Sequence, residues 1–130
     1  MQPAIARTVK FKRIATLFVV EDVVNTAEYY RDVLGFELLG YFADPPVYAM
    51  VSRGAAEMHF GTADGEVQRP NCDTRKMSFD AYIWVDDIQE LYEEMTAAGA
   101  NITEGPVKRI YESTEVTIED CNGFTIVFGD

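Results

Sequence analysis

The chain reads as one unit written twice. Phe18-Val19-Val20-Glu21-Asp22 is answered 65 residues later, half of the 130-residue sequence, by Ile83-Trp84-Val85-Asp86-Asp87. Each copy is an apolar strand that runs into an aspartate, and each aspartate opens a helical pattern. After Asp22, the residues Val23, Ala27, Tyr30 and Leu34 share one helix face, and Gly35 marks the stop. After Asp87, Ile88, Leu91, Tyr92, Met95 and Ala98 form a cleaner stripe closed by Gly99. Glu90 stands three residues past Asp87, where a capping-box acid can reach back to the N–H of the cap.

The rest of each unit has strand character. Residues 36–42 and 47–52 are aromatic-rich or β-branched runs, separated by Asp44-Pro45-Pro46, which continues neither. Gly54 turns the chain into Glu57-Met58-His59-Phe60. In the second unit residues 115–119 alternate Val116 and Ile118 with polar side chains, Asn122-Gly123 is a strong hairpin signal, and 124–128 returns. From helix-opening aspartate to turn glycine the spacing is 32 residues in the first unit and 36 in the second.

A βαβββ module cannot stand alone, because its helix covers one face of its sheet and leaves the other bare. The expected fold class is therefore α+β: two tandem βαβββ modules whose curved mixed sheets form a shared cleft, within one chain or between two. The expected boundaries are a basic arm at 1–13, module 1 at 14–62, a linker at 63–77 and module 2 at 78–130.

Charge narrows the partners. The chain has 22 acids against 11 bases, net −11. Four of the bases, Arg7, Lys10, Lys12 and Arg13, lie in the first thirteen residues, which hold no acid. The remainder repels anions and gathers cations, so nucleic acid is a poor partner and a cationic or neutral small molecule a better one. An acidic shell that only keeps the protein dispersed explains the same count. No apolar run reaches the ~18 residues of a membrane span or reads as a signal peptide, which leads to a cytoplasmic expectation. Cys72 and Cys121 form neither a CxxC nor a disulfide framework. No glycine loop cradles phosphate, and no motif pairs His59 with a nucleophile.

These residues resemble the vicinal oxygen chelate superfamily, which includes glyoxalase I, extradiol dioxygenases and bleomycin-resistance proteins. The resemblance rests on Val20-Glu21-Asp22 with the stretch from Ala27 through Tyr29, Tyr30, Leu34 and Gly35 to Phe36. In the second half it rests on Trp84-Val85-Asp86-Asp87 with Leu91-Tyr92 and on Asp120-Cys121-Asn122-Gly123, where the family usually writes Asp-Pro-Asp-Gly. It spans roughly 14–129. Enzymes of this superfamily mostly hold a divalent metal with His and Glu from the first and last strands of the modules. By resemblance those four positions fall on Ala15, His59, Asp80 and Val127. Two of them offer no lone pair, and His59 is the sole histidine, so a set of about three protein ligands is not reached. A rescue would have to recruit Glu57 or Glu115. The expectation is no metal and no cofactor.

Strand parity then names the lining of the cleft. If Asp80 faces it, so do Tyr82 and Trp84, while Ala81, Ile83 and Val85 pack under the helix. Leu17 and Val19 join Ala15, Glu57 joins His59, and Thr125 joins Val127. The alternative for Tyr82 and Trp84 is burial as core against the partner module. The expected ligand-binding set is Tyr82, Trp84, Asp80, His59, Glu57 and Leu17, an aromatic and acidic surface suited to a flat cationic ligand. No residue is expected to be catalytic. Taken with the resemblance to the bleomycin-resistance branch, described as acidic, metal-free and dimeric, the expectation is a homodimeric protein that sequesters a cationic or aromatic compound such as a glycopeptide antibiotic. The competing readings are a metal-dependent lyase, isomerase or dioxygenase with a drifted metal site, and an interaction module whose basic arm engages a partner.

Overall fold

The computed structural model describes residues 4–130; the first three residues of the basic arm lie outside the described residues. Module 1 runs β1 (Ala15–Val20), α1 (Val23–Asp32), β2 (Glu37–Phe42), β3 (Tyr48–Arg53) and β4 (Ala56–Thr62). A single 3-10 turn, Asn71–Asp73, interrupts the connection to module 2. Module 2 runs β5 (Ala81–Trp84), α2 (Ile88–Ala98), β6 (Asn101–Lys108), β7 (Thr114–Glu119) and β8 (Thr125–Gly129). The two sheets share one topology, β1-β4-β3-β2 and β5-β8-β7-β6. In each the first strand pairs parallel to the last, and the remaining pairs are antiparallel. The architecture is the expected α+β pair of βαβββ modules.

The helix starts follow from the two aspartates. The Asp22 carboxylate accepts from the backbone N–H groups of Val24 and Asn25, and that of Asp87 accepts from Glu90 N–H at 3.0 Å. Gly99, at φ +82°, ends α2 in the left-handed conformation, which glycine adopts without the strain an L side chain would bring. Helix α1 is shorter than its apolar stripe: it stops at Asp32, and Leu34 completes the buried face from the turn.

Strand β6 is the element that sequence periodicity leaves unmarked. Its pairing with β7 slips twice, between Ile102 and Glu104 and between Glu104 and Val107, so side-chain alternation is broken. Gly105 sits in this irregular stretch at φ +97°, where a Cβ would strike the Glu115 carbonyl. The Gly-Pro pair that looks like a strand breaker is thus a bulge pressed against β7.

Inner-face side chains of both sheets enter one core. Phe18, Val20, Met58 and Phe60 come from module 1, and Val116, Ile118, Ile126 and Phe128 from module 2. Across the junction Phe18 stacks on Phe124 with ring centroids 4.2 Å apart. Three polar ties reinforce it. The Tyr30 hydroxyl donates to Asp120 at 2.7 Å, the Asn122 amide to Thr26 at 2.9 Å, and Arg53 pairs with both oxygens of Glu94. Because both inner faces feed the same core, both outer faces turn away from it. Among the described residues no hydrogen bond, ion pair or ring contact joins one outer face to the other.

Asp120 holds the β7–β8 turn and the module junction together. Burial raises its carboxyl above the ordinary aspartate value, against the Tyr30 hydrogen bond and the N–H groups of Asn122 and Phe124 that favour the anion. Tyr30→Phe removes the one side-chain donor and leaves a buried carboxylate under-satisfied. We expect a loss of about 2 kcal/mol, within the range for hydrogen bonds to charged groups. In urea titration it would appear as a lower midpoint at unchanged slope.

Candidate outer-face binding site

The register fixes which outer-face residues correspond. Ala15, Leu17 and Val19 on β1 lie opposite Glu57, His59 and Gly61 on β4. Tyr82 and Trp84 on β5 lie opposite Val127 and Gly129 on β8. Leu17 therefore matches Tyr82, Val19 matches Trp84, and His59 matches Val127. On β1 and β4 the expected alternation is the observed one, with Phe18, Val20, Met58 and Phe60 buried and their alternates less so. Ahead of β5 and on β8 it is not, since Asp80 caps backbone N–H groups and Val127 is buried.

On sheet 1 the polar residues form a chain. The Tyr48 hydroxyl oxygen lies 2.7 Å from His59 Nδ1, and His59 Nε2 lies 2.6 Å from a Glu57 oxygen. The Arg13 guanidinium stands 3.5 Å from the other Glu57 oxygen. Leu17 lies exposed beside this chain.

On sheet 2 the surface is aromatic. Phe79, Tyr82 and Trp84 follow one another with centroids 5.6 and 4.6 Å apart, and Trp84 is 74% exposed. Behind them lies Glu115, which is buried. It accepts from the Tyr82 hydroxyl at 2.6 Å, the Tyr111 hydroxyl at 2.7 Å and Arg109 Nε at 2.9 Å. Burial alone would raise the Glu115 carboxyl; its three donors outweigh that and hold it below its ordinary value of 4.5. Gly129 makes the arrangement sterically feasible, since a Cβ there would fall on the Tyr82 hydroxyl.

The expected site residues thus divide. Leu17, Glu57 and His59 gather on the outer face of sheet 1, and Tyr82 and Trp84 on that of sheet 2. Asp80, just ahead of β5, points its carboxylate into the fold: one oxygen accepts from Asn71 N–H and the other from Thr125 N–H, both at 2.8 Å. Tyr48, Tyr111 and Arg109 were not singled out from the sequence. Tyr48 could have been found by extending strand parity to β3, whereas Tyr111 lies in a turn with no pattern to announce it. On the opposite, helix-bearing side a cavity of about 460 Å³ opens between the modules over Leu34, Phe36, Ile83 and Leu91, with Trp84 at its rim.

Residues 10–128 match the family model described as the Glyoxalase/Bleomycin resistance protein/Dioxygenase superfamily. The chain belongs to this superfamily. Among solved structures it is similar to TioX from Micromonospora sp. ML1, with a TM-score of 0.74 and 20% identity over 92% of this chain and 98% of that one. It is similar to a bleomycin resistance determinant encoded on the transposon Tn5, with a TM-score of 0.72 and 19% identity over 92% and 98%. A bleomycin-binding protein from bleomycin-producing Streptomyces verticillus, complexed with copper(II)-bleomycin, gives 0.69 and 22% over 93% and 97%. The TM-scores establish a common fold. No curated protein matches.

The four positions where superfamily enzymes carry metal ligands do not fit a metal in this chain. Ala15 and Val127 have no donor atom, Asp80 has both oxygens on backbone N–H groups, and both His59 nitrogens are within hydrogen-bond distance of Tyr48 and Glu57. Among the described residues no three His, Cys, Asp or Glu side chains converge. Among those residues, too, no helix is long and apolar enough to cross a membrane.

Two outcomes test the sheet 2 surface, with Trp84, the lone tryptophan, as reporter. Gly129→Ala should displace the Tyr82 ring from Glu115 and shift Trp84 emission, at a stability cost of about 2 kcal/mol, the scale of a lost donor to a buried carboxylate. The second test is pH. Because the Glu115 carboxyl is depressed on folding, the stability it contributes is complete above 4.5 and is lost as pH falls through its lower folded value. Trp84 emission should therefore change on acidification below 4.5, and Glu115→Gln should abolish that step.

Proposed function

We propose that this protein is a metal-free binding protein of the bleomycin-resistance type, which sequesters a cationic aromatic small molecule and performs no chemistry on it. The observation that carries the reading is the exposed Phe79–Tyr82–Trp84 ladder, braced from behind by Glu115 on a chain of net charge −11. An aromatic ladder offers stacking and cation–π attraction, and the negative field raises the local concentration of cations. The likeness to a resistance determinant and to a protein complexed with copper(II)-bleomycin supports this ligand class. Asp80 then serves the site by anchoring the start of β5, and the ligand meets Leu17, Glu57, His59, Tyr82 and Trp84.

The protein acts as a homodimer in this proposal. Within one chain the two outer faces point apart, so each is half a cleft. A second copy would set Leu17, Glu57 and His59 of one chain against Tyr82 and Trp84 of the other, bringing together what the sequence groups as one site. We place the protein in the cytoplasm, where the exposed, unbridged thiols of Cys72 and Cys121 persist.

Calorimetric titration with bleomycin and related basic antibiotics tests the ligand. Binding is expected, weakened about tenfold in Trp84→Ala, the scale of one desolvated cation–π contact. No heat with any of them removes the antibiotic version. Light scattering should give the mass of two chains. Elemental analysis of protein purified without chelator should find fewer than about one divalent ion per two chains; a stoichiometric metal would instead support an enzyme with a drifted site.

A further inference from the structure

The outer faces also carry hydrogen-bond polarity, and it deepens the cationic-aromatic reading on which it rests. On sheet 1 the Glu57 carboxylate, beside the Arg13 guanidinium, has no proton to donate. The hydrogen between it and His59 therefore sits on Nε2. When that imidazole is neutral, Nδ1 is an acceptor and the proton in its 2.7 Å contact is the Tyr48 phenol's. Among the described residues Tyr48, which is half-buried, has no other side-chain hydrogen-bond partner, so its phenol oxygen keeps free lone pairs. On sheet 2 the same result arises from a simpler cause. The Tyr111 hydroxyl donates to Glu115 at 2.7 Å, and its ring is 62% exposed. Arg109 is engaged with Glu104 and Glu115, and Arg13 with Glu57.

We infer that Tyr48 and Tyr111 are ligand-binding residues whose phenol oxygens act as hydrogen-bond acceptors, so that the site selects cations that bear N–H groups. Charge and stacking attract any aromatic cation. An ammonium or a guanidinium is held further by these two oxygens, and a quaternary ammonium is not.

A matched pair of probes separates the two effects: 1-naphthylmethylammonium, and its N,N,N-trimethyl derivative, which keeps ring and charge but has no N–H. In calorimetry the primary ammonium should bind about fivefold more tightly, the net worth of one hydrogen bond. That ratio should fall towards one in the double variant Tyr48→Phe/Tyr111→Phe, while the trimethyl probe binds the variant as it binds the parent. Equal affinities in the parent, or a ratio unchanged in the variant, overturn the inference and leave the cationic-aromatic reading standing. Failure of both probes to bind overturns both. The lone histidine supplies a ligand-free check by nitrogen NMR at about pH 8, above its ordinary titration range. The expected signature is a protonated Nε2 and a bare, hydrogen-bonded Nδ1 that shifts in Tyr48→Phe; a protonated Nδ1 would overturn the assignment for Tyr48.

Discussion

Phe18 stacked on Phe124, with Tyr30 reaching across to Asp120, is the contact through which two half-domains become one folded chain. A four-stranded sheet with one helix has a single covered face, and the free energy of that small core is marginal. Pooling the inner faces of both modules solves the problem for the core. It also dictates the rest of the geometry, because side chains alternate along a strand. Every strand residue whose neighbour enters the shared core must itself point outward, and the candidate surface is built mainly from those outward residues.

The outward residues are held by local chemistry of two kinds. On sheet 2 a buried carboxylate organises aromatic rings: Glu115 accepts from Tyr82 and Tyr111, and Gly129 leaves the space in which the Tyr82 ring lies. On sheet 1 a histidine bridges a phenol and a carboxylate. The matching positions His59 and Val127 show how one topology diverges. The first keeps a polar relay, and the second becomes an apolar floor beneath Tyr82. Of the four positions compared with a metal-ligand set, Ala15 and Val127 carry no donor atom and Asp80 caps backbone N–H groups.

Much of this was legible from residue order. Two helix-opening aspartates at equal spacing, apolar strands before them and the Asn122-Gly123 turn define the repeat through local rules of capping, periodicity and turn chemistry. Parity correctly separated Phe18 and Phe60 from Leu17 and His59. Strand β6 escaped because two register slips destroy its alternation. Tyr111 and Arg109 escaped because they reach Glu115 from a turn and a strand end, where no period applies. Asp80 was legible as lying near the start of β5, but not as a carboxylate ahead of the strand consumed by the N–H groups of Asn71 and Thr125, since its partners are remote in sequence or lie in a loop.

The order of amino acids accounts for what depends on near neighbours: two βαβββ units, their helix starts, and the alternation that sorts core from surface. Folding in three dimensions settled what depends on residues far apart. It joined the two inner faces into one core and sent the outer faces apart. It also placed Tyr48 against His59 and Tyr82 against Glu115. Those pairings follow from the strand order and register inside each sheet, and the single core follows from the stacking of one module on the other; packing sets both.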